Sequence, residues 1–108
     1  MEFISLKVAD ISTAHISEKD SDLLGLSASY CRGEDQPNHP NLPCTVTEYE
    51  DGFFVNLANF NLDELHITCR DFSPEFQNVI RKAKEAGFDL INFDRDGETY
   101  EELHKFDW

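Results

Sequence analysis

Apolar residues fall at every second position from Ile4 through Leu6 to Val8, with Ser5 and Lys7 between them, which is the period of a half-buried strand. This segment is read as the first strand. Asp10-Ile11-Ser12-Thr13-Ala14-His15 leads out of it. Ser17 followed by Asp20 has capping-box spacing, and Glu18, Asp20 and Asp22 suit the positive end of a helix dipole. A helix is predicted over about residues 18–29, with Leu23, Leu24, Leu26 and Ala28 as its core face and Gly25 as a weak point. From Cys31 to Pro43 the prolines, Gly33, two asparagines and an acidic pair sustain neither helix nor central strand, so the segment is a long loop.

Thr45 to Tyr49 and Phe53 to Leu57 are β-rich and joined by Glu50-Asp51-Gly52, where Asp-Gly is read as supplying the positive φ of a tight hairpin. Between Asn59 and Thr68, Asn61 and Glu64 have cap spacing around Leu62 and Leu65, which predicts one short helical turn. Ser73-Pro74 then opens a second main helix, with Phe76, Val79, Ile80 and Ala83 on one face and Gly87 placed to end it. Phe88 to Phe93 reads as a last strand covered in part on both faces, followed by a turn at Asp96-Gly97 and an acidic tail. The order strand, helix, strand, strand, helix, strand predicts an α+β, ferredoxin-like βαββαβ fold, a four-stranded antiparallel sheet with both helices on one face. The alternative is another α+β arrangement of the same elements.

At 108 residues the chain fits one domain, 1–108, able to close a core without disulfides or metal. Charge changes the picture more than size does. There are 22 acids against nine bases, a formal −13, distributed as ten against three over residues 1–51, five against four over 52–88 and seven against two over 89–108. Such a field repels nucleic acid and anionic lipid and attracts basic proteins, so direct nucleic-acid or membrane binding is disfavoured. The bland reading of the same acidity is solubility. The N-terminus lacks the basic start and cleavage site of a signal peptide, no stretch suits a membrane span, and three scattered cysteines suit reduced thiols; a cytoplasmic location is expected.

Candidate chemistry is sparse. Asp10, Ser12, Thr13 and His15 after the first strand, with Asp94, Arg95 and Asp96 after the last, offer an acid, a base and a clamp. A ferredoxin-like sheet sets the first and last strands antiparallel and the two groups at opposite ends, which leaves Ser12 and Thr13 to satisfy loop amides. Cys31, His39, Cys44, His66 and Cys69 include zinc-binding types at spacings that no zinc motif uses. Asp94-Arg95-Asp96-Gly97-Glu98 resembles part of a calcium loop, but Lys105 stands where its last glutamate belongs. No nucleophile elbow, phosphate loop or dinucleotide fingerprint is present. No catalytic residue, metal or cofactor is expected. Tyr49, Phe54 and Phe93 suit an open sheet face, but the basic companions of an RNA-binding surface are missing, so they are read mainly as core or as a protein-binding surface. Trp108, with Phe106 and Leu103, is read as a terminal clasp.

At Asp10 to His15, Phe93 to Gly97, Phe106-Asp107-Trp108, the Tyr49 to Phe54 hairpin and Phe72-Ser73-Pro74, the sequence resembles a small bacterial family catalogued only as a domain of unknown function. The resemblance implies an accessory protein of plasmids and other mobile elements in proteobacteria, and it carries over no catalytic residue. Genes of this size on such elements often encode inhibitors or regulators. Two functions follow. The first is a non-enzymatic acidic binder that occupies a basic, nucleic-acid-binding site on a partner protein, as anti-restriction, anti-CRISPR and immunity proteins do. Its contact residues would be Glu48, Glu50, Asp51, Asp94, Asp96, Glu98, Glu101 and Glu102, its partner a nuclease or nucleic-acid-binding complex, and its oligomeric state is left open. The second is a small enzyme or ligand-binding domain using Asp10, His15 and the Asp94 to Asp96 loop.

Overall fold

The computed structural model describes residues 1–108. Its first strand, β1, is Val8–Ser12 and not Ile4 to Val8. The reason lies in pairing. Lys7 donates its N–H to Asp89 Oδ2 at 2.8 Å and accepts from Asp89 N–H at 2.8 Å, and the next strand along begins only at Leu90. Residues before Lys7 therefore alternate like a strand with no neighbour to pair with.

The helix α1 (Glu18–Cys31) follows, then the hairpin of β2 (Val46–Tyr49) and β3 (Gly52–Asn56), the short α2 (Leu65–Thr68), α3 (Pro74–Glu85) and β4 (Leu90–Asp94). Single 3-10 turns precede α1, at Thr13–His15, and α2, at Leu62–Glu64. The helix starts are as the local spacing predicts. Ser17 and Asp20 form a reciprocal capping box, and the Ser73 hydroxyl accepts from Phe76 N–H with Pro74 in the first turn. Gly87, with φ 86°, takes the left-handed conformation that ends α3.

The four strands are ordered β1-β4-β3-β2, with β1 parallel to β4 and both other pairs antiparallel. The sheet is mixed, which replaces the expected all-antiparallel, ferredoxin-like arrangement. The βαββαβ order counts elements but does not say which strand is central. β4 takes that place here, because Ile91 and Phe93 are fully buried on one face and Leu90 and Asn92 half-buried on the other. β1 carries the exposed Asp10 and sits at the edge.

Ala9, Ile11, Val46, Phe53, Val55, Ile91 and Phe93 share one sheet face and one core with Leu24 and Ala28 of α1 and Phe76, Val79, Ile80 and Ala83 of α3. The helices lie on that face together, as expected, and the opposite face is left open. In the hairpin Gly52 is paired with Tyr49, so the turn consists of Glu50 and Asp51 alone. No residue there has positive φ, contrary to the reading of Asp-Gly. Gly52 is required for room: a Cβ would lie 1.8 Å from the Phe93 carbonyl oxygen. No helix is long and apolar enough to cross a membrane.

Candidate functional site

Strand register builds the open face row by row. Asp10 stands beside Asn92, Phe54 and Thr47 in one row, and Ser12 beside Asp94, Gly52 and Tyr49 in the next. Because β1 and β4 are parallel, the ends of both strands meet at one edge. Asp10 and Asp94 thus come together, which corrects the expectation that they lie at opposite ends. Tyr49 and Phe54 are in contact on this face with ring centroids 5.2 Å apart, whereas Phe93 is buried in the core.

The Tyr49 hydroxyl lies 2.5 Å from Asp94 Oδ2 and 2.7 Å from the Asn92 side-chain amide. A hydroxyl has one proton, and of its two acceptors, Asp94 Oδ2 and Asn92 Oδ1, the charged and nearer carboxylate takes it. Asp94 Oδ1 accepts from Asp96 N–H at 2.7 Å. The Tyr49 bond, followed by the Asp96 amide, holds the Asp94 carboxyl below the usual carboxylate range. Burial, followed by the Asp94 hydrogen bond and charge, pushes the Tyr49 phenol up to about 12.

These shifts have definite signs. The raised phenol favours the fold below its unfolded value and ceases to do so as pH climbs through about 12, while the depressed Asp94 ceases to do so only as pH falls through its lowered value. Tyr100 is also raised, by burial and then by Asp10, Glu98 and Glu102. An absorbance titration of phenolate is expected to lose its last-titrating component in Tyr49→Phe, and Asp94→Asn should move that component to lower pH. A titration unchanged by both substitutions would remove the pairing.

The acids expected to meet a partner divide into two groups. Asp51 is bound by Arg95, whose guanidinium is 2.5 Å from Asp51 Oδ1 and whose N–H donates to Asp51 O at 2.8 Å. Arg95 therefore braces the hairpin turn against the end of β4. Glu48 lies 3.7 Å from Arg32, which also holds Glu34 at 2.7 Å. Glu50, Asp96, Glu98, Glu101 and Glu102 are exposed and form no ion pair, and Asp10 joins them. Asp10, Glu98 and Glu102 surround Tyr100 closely enough to raise its phenol. The hairpin tip and the segment after β4, far apart in sequence, thus border one end of the open face.

His15 is not part of this surface. It is buried, its Nε2 accepts from Tyr100 N–H at 2.9 Å, and its Nδ1 donates to His104 O at 2.8 Å. Both ring nitrogens are taken by backbone groups, so no lone pair is free to act as a base. The histidine organises the tail, which is further fixed by Ser12 N–H to Glu98 O, Phe106 N–H to Ala14 O and the Tyr100 hydroxyl to Asp10 O. Trp108 Nε1 donates to Ile16 O at 2.9 Å, as a clasp should, although the ring stays more than half exposed. Ser12 accepts from Ala14 N–H, the local role expected of it.

The model of the family of unknown function DUF5983, C-terminal domain, matches residues 8–108. The chain belongs to that family. The matched segment takes in every strand and helix, from the first residue of β1 to the Trp108 clasp. No curated protein and no solved structure matches the chain.

Thiol and metal chemistry have little support from geometry. Burial, then the Cys69 and Cys31 thiols, push Cys44 up to about 12, and burial pushes Cys69 up to about 11 against the hydrogen bond from Thr68. No three His, Cys, Asp or Glu side chains converge in a way that could hold a metal ion. Asn92 and the Tyr49 pairing were missed as site features. Their signal was an amide placed between Ile91 and Phe93, on the strand face that the core does not use.

Proposed function

We propose that this chain is a non-enzymatic binding protein whose acidic surface occupies a basic, nucleic-acid-binding site on a partner protein, as an inhibitor or regulator. The supporting observation is a set of exposed, unpaired acids: Asp10, Glu98 and Glu102 around Tyr100 at the β1 edge, with Asp96 after β4 and Glu50 at the hairpin turn. The nearby arginines, Arg95 and Arg32, are already committed to Asp51 and to Glu34 and Glu48. Carboxylates on a turn and on a tail tied to the sheet present charge to a groove built for phosphates at little ordering cost. The partner is a nuclease or another nucleic-acid-binding complex, and the setting is a bacterial cytoplasm served by a mobile element. The test is affinity capture from the native cell: a basic protein should be retained, and its own nucleic acid should displace it. Retention that nucleic acid leaves untouched would contradict the reading.

A second reading, a small ligand-binding or catalytic domain, draws on the parallel pairing that brings Asp10 and Asp94 to one edge beside Tyr49 and Asn92. It must do without His15, and it predicts that a small molecule rather than a protein protects the open face.

A further inference from the structure

The alternating segment before β1 has no partner within the fold. Phe3, Ile4 and Leu6 are 83%, 92% and 62% exposed, and Val8 is 43% exposed. β1 is an edge strand whose outer rim is only partly covered. Lys7 turns its N–H and C=O toward β4, so the next residues in alternation, Val8, Asp10 and Ser12, turn theirs outward. The tail takes the Asp10 carbonyl through the Tyr100 hydroxyl and the Ser12 N–H through Glu98 O, and it takes nothing before them. Natural edges are blunted by charges, proline or bulges, yet residues 3–8 contain a single lysine, no acid, no proline and no glycine.

We propose that Phe3 to Val8 pairs antiparallel with the same segment of a second copy of this chain, about a two-fold axis at Leu6, joining two four-stranded sheets into one. Outward-facing residues must meet outward-facing residues, which restricts the register to even positions against even ones. Centring on Leu6 sets Ile4 opposite Val8 of the second copy and Leu6 opposite Leu6, all on the open side of the sheet. Centring on Lys7 would oppose two lysines, and centring on Ser5 would oppose Phe3 to Lys7. The self-matching register is what an isologous dimer requires.

The same register places Phe3 opposite Ala9, on the other side of the sheet. Ala9 lines a largely apolar groove of about 370 Å³ with Ile11, Val79, Ala83, Phe88 and Leu103, so the exposed Phe3 ring meets a groove able to receive it. Residues 3–8 offer no glycine, proline, asparagine or aspartate for a reversal, which argues against the segment folding back into its own groove. The exposed parts of the four apolar side chains amount to at most roughly 400–500 Å² per copy, the size of a weak, reversible interface. The net charge of −13 opposes association at long range, but the segment itself carries only Lys7. Dimerisation should therefore strengthen as salt rises, opposite to binding of a basic partner.

Sedimentation of the full chain from micromolar to millimolar concentration tests the proposal. A monomer–dimer equilibrium that tightens with salt is expected, and Leu6→Asp should weaken it by about tenfold or more by removing the Leu6 pair and opposing two carboxylates across the seam, with the fold of the monomer unchanged. In a Cys31→Ser background, Leu6→Cys should form a disulfide-linked dimer with oxidised glutathione, since directly opposed Cα atoms lie about 5.5 Å apart. Ser5→Cys, which faces Lys7, should not. A monomer at every concentration, a dimer indifferent to Leu6→Asp, or equal cross-linking at both positions would each overturn the proposal.

Discussion

Asp20→Ala is expected to lower the stability of the fold by about 3–5 kcal/mol, read as a fall in urea midpoint at constant slope. Asp20 is fully buried, and its carboxylate is a shared cap for two helices. Oδ2 accepts from Ser17 N–H at 3.0 Å and from the Ser73 hydroxyl at 2.6 Å, and Oδ1 accepts from Ser73 N–H at 2.8 Å. Ser73 is in turn the N-cap of α3. Removing the carboxylate leaves three part-buried donors without their acceptor and withdraws a negative charge from the positive ends of α1 and α3. Asp20→Asn keeps the shape but turns an NH₂ toward a donor, so an intermediate loss is expected. A cost below about 1 kcal/mol for the alanine variant would show that the two helix starts are held independently.

Gly52→Ala is expected to cost about 3 kcal/mol or more, because the new Cβ meets backbone and not a movable side chain. The Phe93 carbonyl oxygen would lie 1.8 Å away and the Asp94 Cα 3.1 Å away, at the pair Gly52 and Asp94 that ends the β3–β4 ladder. The ladder would have to open where Tyr49 meets Asp94. Gly25→Ala is the comparison: nothing lies within 4 Å of its added Cβ, and inside a helix the change should be neutral or stabilise by up to about 1 kcal/mol. Thermal melts of the two variants should therefore move in opposite directions or differ by many degrees. Equal melts would mean that β3 and β4 separate freely at this end.

Features set by neighbours in sequence were legible. The capping box of Ser17 and Asp20, Ser73 with Pro74, the hairpin, and the buried stripe of Phe76, Val79, Ile80 and Ala83 all follow from contacts within a few residues. Pairing between distant strands was not legible, because alternation states that a segment suits a sheet and is silent on its neighbour. Ile4 to Val8 alternates more cleanly than β1 does, but Lys7 meets β4 at its first residues and the ladder runs onward from there. The partly covered second face of β4 did carry the information that this strand is central.

The candidate site follows the same division. Its acids were recognised from charge, but Asp51 and Glu48 proved to be partnered by Arg95 and Arg32, pairings that only the folded chain creates. An antiparallel first strand would separate Asp10 from Asp94, and the parallel pairing brings the two strand ends together instead. His15 looked like a candidate base until the tail folded over it and took both nitrogens. Asp20 was read as an ordinary cap, since nothing local indicates that Ser73 will share it.

The proposal that unpaired acids meet a basic groove is tested most directly by association kinetics with the captured partner. The comparison is between the native chain and a variant carrying Glu98→Lys, Glu101→Lys and Glu102→Lys, at low and at moderate salt. Steering by these charges predicts an association rate for the native chain that falls steeply as salt rises, and a variant whose rate is already low and nearly salt-independent, with dissociation changed much less. Identical rates for the two proteins at both salt concentrations, with the fold of the variant intact, would contradict the account and leave the acidity as a solubility device.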